Sequence, residues 1–421
     1  MAQGVGRARE GMQGGVGLPA VVLLLMGTLG ISTAFGMLLL LPLYVQELGG
    51  DEADFGVILS SAAVPAMICI GFLIRYPERL RPHAVVAVAV SVYAVGTAGA
   101  SLVGGSWTPL IWVGVLLGAA WAVVYTATPM VMSGMVTDEG RATYFGYLTG
   151  TQQIGIGAGP VISRFLVETP LGFRGTFLAA GALCLLAVAL TVAVGLLTPD
   201  TRTPDSRLGR APASGDSEAD LTFGDAIRRI VRSEAVFSLV MIGLFACLFT
   251  SLTQFQTTFA SSRNLDYSVF YVTYTVAVIF SRFVLAGMTS RFDARLVIAA
   301  SVSVMALAVA AFLVVGSNAL LYGAASSLVG LGYGLALPSV QAQAVNVSED
   351  VVRPRVLPLA GLLFQAAILG FPLLAGWLIA GFGYGTLFAV LVSFAAAQAM
   401  IGWWRYLAAR RAAGAADATH T

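Results

Sequence analysis

The chain has 421 residues, of which 58% are hydrophobic and only 10% are charged, with a formal net charge of +2. Soluble proteins carry about 25% charge, so this composition excludes a large water-solvated globule. So small a net charge gives no ground for a nucleic-acid partner.

Residues 1–17 form a tail with Arg7 and Arg9, ahead of an apolar run too long for a signal-peptide core and without a clear cleavage site. That run is read as the first membrane span. Runs long enough to cross a hydrocarbon core about 30 Å thick are then predicted near 18–45, 54–74, 83–103, 108–135, 142–167, 173–197, 236–260, 268–289, 295–315, 318–346, 356–380 and 383–406. The expected fold is an all-α membrane protein of twelve transmembrane helices in two pseudo-symmetric six-helix bundles, 18–197 and 236–406. Between them, 198–235 begins as a Pro/Ser/Asp-rich linker and ends in "FGDAIRRIVRSEAV", which reads as an amphipathic helix lying along the membrane. Residues 407–421 form a second tail. The three cysteines, Cys69, Cys184 and Cys247, sit in apolar runs and imply no disulfide framework.

Lysine is absent, and the 23 basic residues are all arginine. Nineteen of the 23 fall on the side that holds both tails, the even-numbered loops and the central linker. By the positive-inside rule that side is cytoplasmic, which predicts a multi-pass protein of the inner (plasma) membrane with both termini inside. The halves also repeat. A shift of 212 residues carries Asp138 onto Asp350, Arg141 onto Arg353, Gln153 onto Gln365 and Pro160 onto Pro372. Duplicated six-helix halves are a transporter architecture.

The fifth span contains "GTQQIGIGAGPVISR", Gly150–Arg164, which sets two glutamines, four glycines and a proline in an apolar stretch. Gly155 and Gly159 lie one turn apart on one face, where small residues let another helix approach closely. Pro160 removes a backbone donor and bends the helix. Between the second and third spans, "GFLIRYPERLR" runs from Gly71 through Arg75 to Arg81; its second-half copy, "GMTSRFDAR", holds Gly287 and Arg291.

These features resemble the major facilitator superfamily over almost the whole chain. Gly146, Gly155 and Gly159-Pro160 match the first part of the antiporter signature on the fifth helix of family exporters, although Ser163 and Arg164 replace its two closing glycines. The two loop motifs keep the family's glycine and basic cluster, but an arginine replaces the aspartate in each. The resemblance implies an exporter-type packing seam between the fifth and eighth helices. Gly146, Gly155, Gly159, Pro160, Gly71, Arg75, Gly287 and Arg291 are the expected packing and gating positions.

The family builds its cavity chiefly from helices 1, 4, 7 and 10, with help from 2, 5, 8 and 11. On those helices this sequence offers Thr28, Ser32, Tyr125, Gln152, Gln153, Gln254, Tyr271, Tyr274, Arg282, Tyr333, Gln341 and Gln365. These are the expected substrate-binding residues, because polar groups in lipid are costly and tend to be functional. Interhelical hydrogen bonding is the competing role for each glutamine, and snorkelling toward the cytoplasm is the competing role for Arg282.

No Asp or Glu falls mid-span, and His83 and His420 lie in a loop and the tail. No metal-ligand cluster, phosphate loop or nucleophile–base set appears, so neither an enzyme nor a cofactor is expected. The sequence reads as a secondary transporter, functional as a monomer in the lipid bilayer, that exports a small organic compound by alternating access. A coupling proton or a counter-substrate are the possible co-transported partners. The alternatives are an importer or exchanger of a polar or anionic metabolite, and a membrane sensor or scaffold that does not transport.

Overall fold

The computed structural model describes residues 17–76, 80–198, 223–285, 291–349 and 352–418. Every regular element among them is helical. Eleven helices are long and apolar enough to cross a membrane. The fifth span, Asp138–Val167, has 30 residues and ample length. Its glutamines, glycines and threonines dilute its hydropathy, which is why it stands apart from the eleven. With it, the chain is an all-α membrane protein of twelve spans.

The spans begin and end for local reasons. Pro19 and Pro82 sit in the first turns of their helices, where a missing N–H costs nothing. Asp51 caps Glu52–Ser60 through a reciprocal box with Asp54. The side chains of Asp266, Asp293 and Asn318 cap the starts of the eighth, ninth and tenth spans. Gly383, at φ +80°, makes the turn between the eleventh and twelfth spans, a conformation an L side chain resists.

Several spans are interrupted. The first runs Leu18–Met37, tightens to a 3₁₀ turn at Leu38–Leu40, and resumes as Leu41–Glu47. Pro42 lies just beyond the tightened turn and cannot donate to the carbonyl four residues back. The second comprises Glu52–Ser60 and Ala63–Arg75. The seventh breaks at Phe255, between Ala235–Gln254 and Gln256–Ser262. The eighth, Tyr267–Phe280, ends in a π-helical turn at Ser281–Leu285. A ten-residue helix, Phe223–Arg232, precedes the seventh span.

The chain divides into two compact units, Met1–Pro212 and Ala213–Thr421. In the first, the first span packs on the fifth and sixth, the third on the fourth and sixth, and the second on the fourth. In the second, the seventh packs on the eleventh, the ninth on the tenth and twelfth, and the eighth on the tenth. Each of these pairs is the first unit's pair advanced by six spans, so the repeat in sequence is a repeat in packing. One pairing is unequal: the first span packs extensively on the sixth, whereas the seventh meets the twelfth only lightly.

Large apolar side chains point outward, with Val64, Leu102, Trp112, Leu196 and Leu320 among the most exposed. Inside lie alanines together with Thr28, Ser32, Thr97, Gln152, Gln153, Thr250 and Gln256. An apolar exterior around a partly polar interior suits a chain solvated by lipid, where small residues let backbones approach.

Candidate functional site

In the first unit, the glycines of the fifth span meet the first. A Cβ on Gly155 would lie 2.7 Å from the Ser32 Cβ and 2.9 Å from the Leu29 carbonyl oxygen. A Cβ on Gly159 would overlap the backbone of Gly36 and Met37, and one on Gly36 would overlap the Ile156 carbonyl. At Gly36 and Gly159 no side chain separates the two helices. Ser163, buried one turn beyond Gly159, donates its hydroxyl to the Met37 carbonyl at 3.2 Å. That carbonyl lies where the first span tightens into its 3₁₀ turn, so the serine serves a backbone acceptor that a glycine could not.

The glycine face carries polar groups beside it. Ser32 is 1% exposed, and its hydroxyl has no partner. Most helical threonines here donate to the carbonyl four residues back, as Thr28 does to Leu24 and Thr128 to Val124. Ser32 forgoes that bond. Gln152 and Gln153 are each 9% exposed, just before Gly155 in the same helix. Phe35 stacks on Trp121 with ring centroids 4.0 Å apart, which brings the first and fourth spans together. Tyr125, one turn along from Trp121, is exposed.

Other expected packing positions are looser. A side chain on Gly146 would meet open space, as would one on Gly71. Pro160 lies within the continuous helix. Arg75 is exposed, with its guanidinium 5.5 Å from the Tyr76 ring centroid, and Arg291 is exposed. Gly287 lies outside the described residues.

The second unit is more aromatic. Tyr333 stacks on Phe249 at 5.0 Å, and Phe249 on Phe364 at 6.4 Å. Tyr274 lies 6.2 Å from Tyr333 and stacks on Phe270 at 5.6 Å. Rings from the seventh, eighth, tenth and eleventh spans therefore form one cluster. The Tyr274 hydroxyl is buried without a partner, and so are the Thr275 hydroxyl and the Arg282 Nε. Tyr271 differs, since its hydroxyl donates to the Thr253 carbonyl at 2.6 Å and ties the eighth span to the seventh. Gln254, Gln341 and Gln365 are half-buried.

Several polar residues escaped the sequence reading. Gln256 is 1% exposed; its carbonyl oxygen accepts from the Tyr322 hydroxyl at 3.2 Å, and its amide nitrogen has no partner. Gln398 donates to the Met241 carbonyl at 2.8 Å. Arg405, read as a loop-side charge, is buried at 7% exposure; it donates to the Ser238 hydroxyl and pairs with Glu234 at 3.2 Å. Gln398 could have been found, because it is an amide inside an apolar run. Arg405 could not, because an arginine near a span end normally reaches water.

A model of the Major Facilitator Superfamily matches residues 21–366. The chain is 25% identical over 152 residues to the quinolone resistance protein NorA of Staphylococcus aureus (strain MRSA252), covering 36% of this chain. It thus spans only 38% of the length of that curated relative. Among solved structures, a bacterial homolog of the human lysosomal transporter Spinster, inward-facing and unoccupied, superposes with a TM-score of 0.69 at 14% identity, covering 93% of this chain and 96% of the other. The nucleoside transporter NupG superposes with a TM-score of 0.68 at 16% identity, covering 91% and 97%. At such identities the structural likeness speaks for the fold alone.

Proposed function

Because the chain belongs to the Major Facilitator Superfamily, whose members are membrane transporters and not generally enzymes, we propose that it exports a small organic compound by alternating access. The observation that carries this reading is that the fold leaves buried polar atoms unused, among them the Ser32 hydroxyl in the first unit and, in the second, the Tyr274 and Thr275 hydroxyls and the Gln256 amide. A fold that needed these groups only for stability would satisfy them, since a buried unpaired polar group costs about 1–3 kcal/mol. A substrate can satisfy them instead. Thr28, Ser32, Tyr125, Gln152, Gln153, Gln254, Tyr271, Tyr274, Arg282, Tyr333, Gln341 and Gln365 remain the proposed lining, with Tyr271 and Thr28 placed there as positioning groups because their hydroxyls are already engaged.

Export is favoured by the glycine–proline signature from Gly146 to Pro160 and by the partial similarity to a quinolone resistance protein. In this reading the protein works as a monomer in the inner membrane with both termini cytoplasmic. A second reading, exchange or import of an anionic metabolite, is supported by Arg282, whose Nε is buried without a partner. Uptake into everted vesicles, compared with right-side-out vesicles across a panel of neutral, cationic and anionic compounds, separates the two. Uptake confined to everted vesicles supports export. Uptake confined to right-side-out vesicles supports import, and transport of nothing on the panel defeats both.

A further inference from the structure

Three groups on the eighth span share one peculiarity. Thr275 is 8% exposed and Tyr274 is 2% exposed, yet neither hydroxyl has a partner. Thr273, in the same helix, makes the usual bond to the carbonyl four residues back. Thr275 has the same kind of acceptor within reach and leaves it. Arg282 lies two turns further on, on nearly the same face as Thr275, and its Nε is buried and unpaired. Helical side chains slant toward the N-terminus of their helix, so the Arg282 side chain runs back along the face that carries Thr275.

The chemistry of these groups selects a ligand. A guanidinium only donates and keeps its charge, and each hydroxyl has a proton to give. An acceptor-only, negatively charged group completes all three. Water would leave the charge uncompensated in a medium of low dielectric, and an amine would be repelled. A carboxylate fits the fork of an arginine and can take further donors on its remaining lone pairs. Beside these donors stand Tyr333, stacked on Phe249, and the Tyr274 ring itself. Both rings are buried and already stacked, so a flat apolar ring would join this cluster by edge contact or by parting one of its stacks.

We propose that Arg282, Tyr274 and Thr275 form a carboxylate subsite, and that the compound it takes is an aromatic carboxylate. The proposal rests on the transporter reading above and narrows its substrate class. It also gives the π-helical turn at Ser281–Leu285 a role. A turn of this kind shifts the register of the side chains around it, and here it begins one residue before the arginine.

The test uses the full-length chain in lipid nanodiscs, with benzoate as probe and benzamide as its uncharged counterpart, by calorimetric titration. Benzoate should bind and benzamide should bind at least about tenfold more weakly, the size of one charge-assisted hydrogen bond. Arg282→Gln should weaken benzoate about tenfold or more and benzamide much less, so that the preference for the anion is lost. Arg282→Lys keeps the charge without the fork and should fall between. Tyr274→Phe, which keeps the ring, and Thr275→Val should each weaken benzoate severalfold, so the proposal does not hang on one variant folding. Equal binding of benzoate and benzamide, absence of benzoate binding to the wild type, or full benzoate affinity in Arg282→Gln would each overturn it. Full affinity in the glutamine variant is what a snorkelling arginine would give. If the wild type moves neutral or cationic compounds in vesicles yet ignores benzoate, the transporter reading stands and the carboxylate subsite falls. If it moves nothing, the fault lies with the transporter reading itself.

Discussion

At the scale of single residues, the departures from the family pattern are the informative ones. Ser163 stands where the signature has glycine, and its hydroxyl reaches the Met37 carbonyl at the tightened turn of the first span. Ser163→Ala removes only an oxygen, opens almost no cavity, and should destabilise the fold by about 0.5–1.5 kcal/mol, the net worth of one hydrogen bond. Thermal unfolding in detergent reads this as a fall of a few degrees; an unchanged midpoint would show that water or a shifted backbone takes the place of the bond. Arg405 shows the limit of reading residues one at a time. Its neighbours in sequence suggest an interfacial charge, but its partners are 167 and 171 residues away, at Ser238 and Glu234. Since the Glu234 side chain is 70% exposed, the pair is screened, and ion pairs of that kind are worth about 0–1 kcal/mol. The Ser238 bond and the packing of the buried arginine therefore outweigh the ion pair, and with the Gln398 bond to the Met241 carbonyl they join the twelfth span to the seventh.

At the scale of elements, spacing in the sequence predicts the glycine face of the fifth span; the family resemblance implies the eighth span as its partner, whereas Gly155 and Gly159 lie against the first. Helix contact in lipid is governed by how close two backbones can come. Gly159→Ala adds one methyl group where the backbone of Gly36 and Met37 already lies. The helices must separate, and the cost should be about 1–3 kcal/mol, the usual size of an overpacking penalty. Gly146→Ala meets open space, so it should be neutral or slightly stabilising through the higher helix propensity of alanine. Unfolding midpoints of the two variants test this contrast within a single helix. Equal midpoints would mean that the first and fifth spans can part freely. The breaks in the first, seventh and eighth spans were not legible beforehand. Length and hydropathy register a continuous apolar run and are blind to a turn that tightens or widens within it. Pro42 was the one available signal, and no proline or glycine marks the break at Phe255.

At the scale of the whole molecule, the twelve spans and their alternation were legible because lipid imposes one rule on every helix: an apolar run of fixed minimum length. The candidate site was legible only in part. Mid-span polar residues flag themselves by their cost, but whether the cost is met by a neighbouring carbonyl, as for Tyr271, or left open, as for Tyr274, depends on packing that no single helix encodes. Orientation rests on arginine asymmetry. A reporter fused after Arg411 should be cytoplasmic and one inserted near Gly50 or Gly105 external; a reversal at either place would undo the proposed topology.

Energy coupling draws on all of these scales. Among the described residues, every acidic residue in or beside a membrane span lies at a helix end or in a connection, and none lies mid-span. Asp54, at the outer mouth in the proposed topology, already accepts the Asp51 backbone N–H at 3.0 Å as part of a capping box. Glu52 accepts from Gln46 at 2.9 Å. A proton carrier needs burial to lift a carboxyl from its usual value near 4 toward neutrality, whereas Asp54 and Glu52 sit in the first turn of a helix with their carboxylates in local hydrogen bonds. If the substrate is a carboxylate, none is needed. With a potential of 100 mV, negative inside, an anion gains about 2.3 kcal/mol on leaving the cell, which is roughly a fiftyfold gradient without any coupling ion. The Arg282 subsite and the export direction then support each other. The measurement is benzoate flux in proteoliposomes under a potassium diffusion potential set with valinomycin, against an imposed pH gradient at zero potential. Flux should follow the potential, with the side made positive accumulating benzoate, and should be indifferent to the pH gradient once passive permeation of benzoic acid is subtracted with empty liposomes. Accumulation driven by the pH gradient alone, and lost in Asp54→Asn or Glu47→Gln, would identify that rim acid as a proton carrier. Flux that ignores both gradients but answers to an opposing carboxylate would make the protein an exchanger.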